Sequence, residues 1–124
     1  MKYTLCRAKI HRVRVTDGHQ DYPGSITIGR NMMSAAGFLP FEIVHVNNVD
    51  TGVHWETYVI PGEDCQIVLN GAPSHHFKRH DLVVIMALAD LLPNEVADFS
   101  QRVVYVDNYN FVTKVEDKLM KDYI

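Results

Sequence analysis

Cysteine is scarce in this chain. Cys6 and Cys65 are the only two, far apart and in apolar neighbourhoods. That excludes a disulfide-rich secreted scaffold, and neither has metal-ligand spacing; both are expected to be unpaired, buried packing residues in a reducing compartment. Long apolar runs are also missing. The best, Leu82 to Leu92, is interrupted by Asp90 and falls short of membrane-spanning length. The stretch Met1-Lys2-Tyr3-Thr4 has neither the apolar segment nor the cleavage site of a signal peptide, so the expected location is cytoplasmic. There is no basic tract and no interleaving of aromatic with basic residues, so nothing points to nucleic acid. Repeats, low-complexity stretches and dividing linkers are absent, and one domain over residues 1–124 is expected.

What is present suits a core. Hydrophobic residues make up 47% of the 124 and charged residues 22%, with a net charge of −3, which argues against disorder. The pattern is mostly strands. Tyr3 to Val15 is extended, and Asp17 to Asp21 forms a polar loop. Ser25 to Ile28 alternates polar and apolar. Asn31 to Ala36 is a helix stopped by Gly37. Glu42 to Val49 and His54 to Ile60 form a hairpin around Asp50-Thr51-Gly52. Pro61 to Asp64 is a turn, and Gln66 to Leu69 a brief strand. Leu82 to Leu88 suits a strand buried on both faces, and Arg102 to Val106 is a strand. Pro93 to Phe99 reads as a second short helix with Pro at its start. Phe111 to Lys118 fits strand or helix equally. Many short strands with two or so short helices argue for a mainly β fold, a small barrel or closed sheet.

The run Tyr22-Pro23-Gly24-Ser25 carries the most chemistry. A serine hydroxyl can attack the carbonyl carbon of the residue before it. Glycine, without a Cβ, lets the nucleophile approach. The peptide then shifts to an ester, and breakage by elimination turns the serine into a pyruvoyl group, a ketone at a new chain end. The same four residues are also ordinary turn vocabulary.

Five islands change the balance. They are Lys9-Ile10-His11-Arg12-Val13-Arg14-Val15-Thr16, Tyr22-Pro23-Gly24-Ser25, Ala35-Ala36-Gly37, Thr57-Tyr58 and Asn70-Gly71-Ala72. In this order and spacing the chain resembles the pyruvoyl-dependent aspartate 1-decarboxylases, over residues 1 to about 105. The resemblance implies a double-psi β-barrel, a homotetramer with intersubunit active sites, and self-cleavage into 1–24 and 25–124. It implies decarboxylation of L-aspartate to β-alanine, for pantothenate synthesis, through a Schiff base with a pyruvoyl group made from Ser25. That ketone accepts the electrons left when carbon dioxide departs, as pyridoxal phosphate would.

By the same resemblance Tyr58 returns the proton. A phenol, with its usual pKa of about 10, is a ready donor at neutral pH. Thr57 would hydrogen-bond substrate and assist the Gly24 carbonyl, although alternation puts Thr57 and Tyr58 on opposite faces of one strand. Gly71, Ala72 and Pro73 would bring backbone groups to the substrate, but Pro73 lacks an N–H. Asn70 would support the ester and Tyr22 the Gly24 carbonyl. Asn70-Gly71 is equally a common hairpin dipeptide. Lys9 matches a basic pocket residue, whereas His54 replaces the family's pocket arginine.

An arginine grips a carboxylate with two parallel hydrogen bonds, and a histidine offers one donor in that direction. Losing a charge-assisted contact costs ~1.5–3 kcal/mol. Either aspartate binds more weakly, or the pocket suits another amino acid. Two other classes remain open: an uncleaved barrel acting as a binding module, and a metal site at His75, His76 and His80, which lacks a carboxylate or cysteine at ligand spacing. Ser74-His75 has no nucleophile elbow around it.

Overall fold

The computed structural model describes residues 1–19 and 23–124. The chain is mainly β, consistent with the small β-barrel expected. The strands are β1 (Tyr3–Arg14), β2 (Asp17–His19), β3 (Ser25–Gly29), β4 (Ile43–Asn48), β5 (His54–Gly62), β6 (Ile67–Asn70), β7 (Leu82–Leu91), β8 (Ser100–Val106) and β9 (Val112–Leu119). One α-helix, α1 (Arg30–Ala36), follows β3. Neighbours in the sheet run β2-β6-β3-β5-β4-β7-β1-β8-β9. The pairs β1/β8, β2/β6 and β3/β5 are parallel, and the rest are antiparallel.

Alternation explains the core. Ala8 and Ile10 of β1, Ile26 and Ile28 of β3, Val44 and Val46 of β4, and Val83, Ile85 and Ala87 of β7 are buried. Their chain neighbours point to the other face, as a period of two requires. The helix adds Met32, Met33 and Ala36. It ends where Gly37 turns left-handed at φ 74, its N–H donating to the Met33 carbonyl at 2.8 Å. Its start is fixed by Gly29: a Cβ there would lie 2.6 Å from the Cys65 nitrogen and 2.7 Å from the Glu63 oxygen. The β4–β5 hairpin turns at Asp50-Thr51-Gly52. There buried Asn48 accepts the N–H groups of Asp50 and Thr51 at 3.0 and 3.2 Å.

Several expectations need correction. Asp17 to His19 is a strand, because it pairs in parallel with β6 despite being polar and exposed. β7 is buried at Val83, Ile85 and Ala87 on one face only, while the other face is half-buried at Leu82, Val84 and Met86 and exposed at Leu88 and Asp90, since alternate residues face out of the sheet. The second helix is a 3₁₀ turn, Pro93–Glu95, because β8 begins at Ser100 and leaves no room for another turn. Pro61 and Gly62 belong to β5 rather than to a turn. Both cysteines are half-buried rather than buried, and both are free. The tail resolves as a strand, β9, paired antiparallel with β8.

Candidate active site

Ser25 opens β3 and is buried. Because Ile26 and Ile28 fill the core, Ser25 and Thr27 face the opposite side. The parallel pairing of Ile26 with Val59 sets Ser25 level with Tyr58 of β5. On its other flank Ser25 pairs with Asn70 of β6. Asn70 Nδ2 donates to Ser25 Oγ at 3.0 Å and to Thr27 Oγ1 at 3.1 Å. The Ser25 hydroxyl donates to the Pro23 carbonyl at 3.5 Å, a long contact.

These residues line a cleft of about 430 Å³, with His19, Pro23, Gln66, Ser25, Thr27, Tyr58 and Asn70 in its wall. That is the size of a small-molecule site. Another cleft, at Leu5, Cys6, Phe99, Gln101, Lys118 and Tyr123, lacks a serine beside a glycine. Gly24 rests against Trp55: a Cβ on it would be 3.7 Å from the indole. Trp55 packs in turn on buried Phe77, with ring centroids 6.2 Å apart.

The cleft does not gather every expected residue. Thr57 is buried on the opposite face of β5, the face of Trp55 and Val59. Tyr22 lies outside the described residues. Gly71 follows Asn70 with φ 97 and ψ −173, and leads into a 3₁₀ turn, Ala72–His76, that carries Pro73 in its first turn. A missing N–H costs little there. The Gly71 N–H donates to the His19 carbonyl at 2.7 Å, so Asn70-Gly71 forms no hairpin. His75 and His76 are exposed on that turn, and no group of three or more metal-ligating side chains is found among the described residues.

Lys9 and His54 sit elsewhere. Lys9 pairs with Met86, Met86 with His45, and His45 with Glu56, so all four share the outward face of β1, β7, β4 and β5. His54 lies two residues before Glu56 on that face. His54 and Tyr58 are four residues apart along β5, roughly 13 Å at strand rise. A single amino acid at Ser25 does not span that distance.

His19 and Gln66 were not anticipated. His19 Nε2 lies 3.6 Å from Asp17 Oδ2. Its place in the wall comes from the long-range β2/β6 pairing, which leaves no local pattern. Neither thiol is activated, since burial pushes Cys6 and Cys65 upward. His11 is held below its ordinary value, first by burial and then by Lys9, Arg12 and Lys118. Its ring stands edge-on to Tyr105 at 5.7 Å.

The family profile described as aspartate decarboxylase matches residues 1–113. An aspartate 1-decarboxylase of Salinibacter ruber is 45% identical over 116 residues, covering 92% of this chain and 80% of the relative. One from Dehalococcoides mccartyi is 43% identical over 115 residues, covering 91% and 93%. One from Clostridium botulinum is 40% identical over 117 residues, covering 93% and 92%. With the Ser25–Asn70–Tyr58 cleft, these matches define the class as a decarboxylase, a carbon–carbon lyase. Within that class the chain belongs to the aspartate decarboxylase family.

Proposed function

We propose that this chain cleaves itself between Gly24 and Ser25 and then decarboxylates L-aspartate to β-alanine. The observation that carries the reading is Ser25 Oγ held by Asn70 in a cleft that it shares with Tyr58.

Cleavage uses the chain's own groups. Ser25 Oγ loses its proton and bonds to the Gly24 carbonyl carbon, and the Gly24–Ser25 C–N bond breaks to leave an ester and a free amine. Loss of the Cα proton then breaks the Cβ–Oγ bond and frees Gly24 as a carboxylate. Water hydrolyses the resulting dehydroalanine, with release of ammonia, and leaves a pyruvoyl end. Asn70 occupies one lone pair of Oγ and so orients the hydroxyl. Of the roles expected of Thr57, the one toward Gly24 suits its face, which it shares with Trp55.

The residues present fit such a group: a buried serine, the Asn70 amide and a phenol converge where the ketone would form. When formed, the ketone supplies an electron sink for loss of carbon dioxide. Tyr58 then delivers a proton to the substrate carbon from its hydroxyl. Gly71, Ala72 and Pro73, which follow Asn70 in the chain, would bring backbone groups to the substrate.

The substrate carboxylate needs a cation, and we assign it to the sheet face of a neighbouring copy in a homotetramer, the face that carries Lys9 and, along β5, His54. Their distance from Ser25 along the sheet supports this. So do the exposed side chains Leu39, Phe41 and Ile43, at 66%, 71% and 53%, beside Tyr58. The Phe41 ring lies 6.4 Å from that of Tyr58. A cytoplasmic setting belongs to the same reading, supported by two free cysteines.

The test is release of carbon dioxide and β-alanine from L-aspartate by the cleaved protein. Tyr58→Phe is expected to leave cleavage intact and to lower kcat by about 10²–10⁴. Cleaved wild-type protein that releases nothing, or a Tyr58→Phe variant with unchanged kcat, overturns the assignment.

A further inference from the structure

His54 does not stand alone. Its Nδ1 lies 2.7 Å from Asn47 Oδ1, and its Nε2 lies 3.1 Å from His45 Nδ1. The two imidazoles stack, with centroids 5.1 Å apart and 25° between planes. An amide oxygen only accepts, so His54 Nδ1 carries the hydrogen. His54 Nε2 is then a bare acceptor, and His45 Nδ1 donates to it. Both nitrogens of His54 are therefore used, and it has no N–H left for a carboxylate. The one ring nitrogen of the pair without a partner among the described residues is His45 Nε2. It gains a hydrogen only when the pair takes up a proton.

We propose that His45 and His54 together replace the single pocket arginine. The pair binds the substrate's carboxylate through His45 Nε2–H, in step with uptake of one proton. This rests on the reading that this sheet face meets the Ser25 cleft of another copy. Asn47 is a positioning residue, since it fixes the direction of the chain of hydrogen bonds.

The surroundings decide how the proton is held. Glu56 of β5 faces His45 across the pairing. Glu42, just before β4, is engaged by Arg7. Asp90 of β7 accepts from Thr4 at 2.8 Å. Lys9 of β1 lies beyond Met86. Glu56 and Asp90, whose bond to a neutral hydroxyl leaves its charge in place, thus set their field on the pair against that of Lys9. Both Glu56 and the imidazole edges are open to solvent, which screens their attraction. A directed hydrogen bond to a bound carboxylate adds to what such screened charges supply.

Titration calorimetry with succinate, in buffers of different ionisation enthalpy, tests the proposal without turnover. Binding is expected to be accompanied by proton uptake and to weaken as pH rises. His54→Arg is expected to bind without proton uptake. His45→Gln is expected to weaken binding by about tenfold in the wild type, and hardly at all in the His54→Arg background. The KM for aspartate should follow the same pattern. No succinate binding, no proton uptake, or an equal His45→Gln loss in both backgrounds overturns the proposal. Decarboxylation accompanied by any of these leaves the reaction standing and removes only the pair. Proton-coupled binding in a chain that stays uncleaved supports the pair and tells against the reaction.

Discussion

Asn70 donates both hydrogens of its amide nitrogen, one to Ser25 Oγ and one to Thr27 Oγ1. A residue that also reads as hairpin vocabulary is therefore tied to the Ser25 hydroxyl. The serine, the asparagine and the tyrosine were legible in sequence because each sits in a short island of fixed order. Lys9 and His54 were legible as residues but not as a place, since within one chain they lie along the sheet from the cleft. His11 has a separate consequence. Its folded value lies below the ordinary 6.5, with burial the first cause. The unfolded chain therefore binds the proton more tightly, and stability rises with pH across that interval. The protein is expected to lose stability as pH falls below 6.5 and through the folded value. His11→Gln should flatten that acid-side slope in urea unfolding at a series of pH values. An unchanged slope would assign the acid sensitivity to other groups.

At the scale of elements, local pattern carried far and then stopped. β1, β3, β4, β5 and α1 follow from alternation, a helical run and glycine stops, all within a few residues of each other. β2 does not, because three polar residues become a strand only by lying beside β6, some fifty positions on. The tail showed no preference because β9 is exposed at most positions, and its pairing with β8 decides its form. Surface ion pairs such as Arg102–Asp117, 3.0 Å apart, add only about 0–1 kcal/mol there. The junction after β6 is more demanding. Gly71, at φ 97 and ψ −173, occupies backbone space that L side chains avoid. Gly71→Ala is expected to cost about 1–3 kcal/mol. It should lower the urea midpoint with an unchanged m-value. A midpoint equal to that of the wild type would mean that the turn relaxes without strain.

At the scale of the whole molecule, the proposed shared site rests on two places that a single chain keeps apart. The cleft at β3, β5 and β6 holds the serine, the amide and the phenol. The face across β1, β7, β4 and β5 holds Lys9, His45 and His54. Exposed Phe41 and Ile43 border Tyr58, and with exposed Leu39 they leave apolar surface on this chain. An assembly of four copies is expected by light scattering. A monomer that still turns over aspartate would contradict the shared site. Everything further depends on the bond before Ser25. Intact-mass spectrometry of the purified protein tests that bond most directly, with Ser25→Ala as control. The account predicts two species, residues 1–24 and 25–124, the second without a free amine, and one continuous Ser25→Ala chain. A wild-type protein found as one full-length species, with its serine intact, would contradict it.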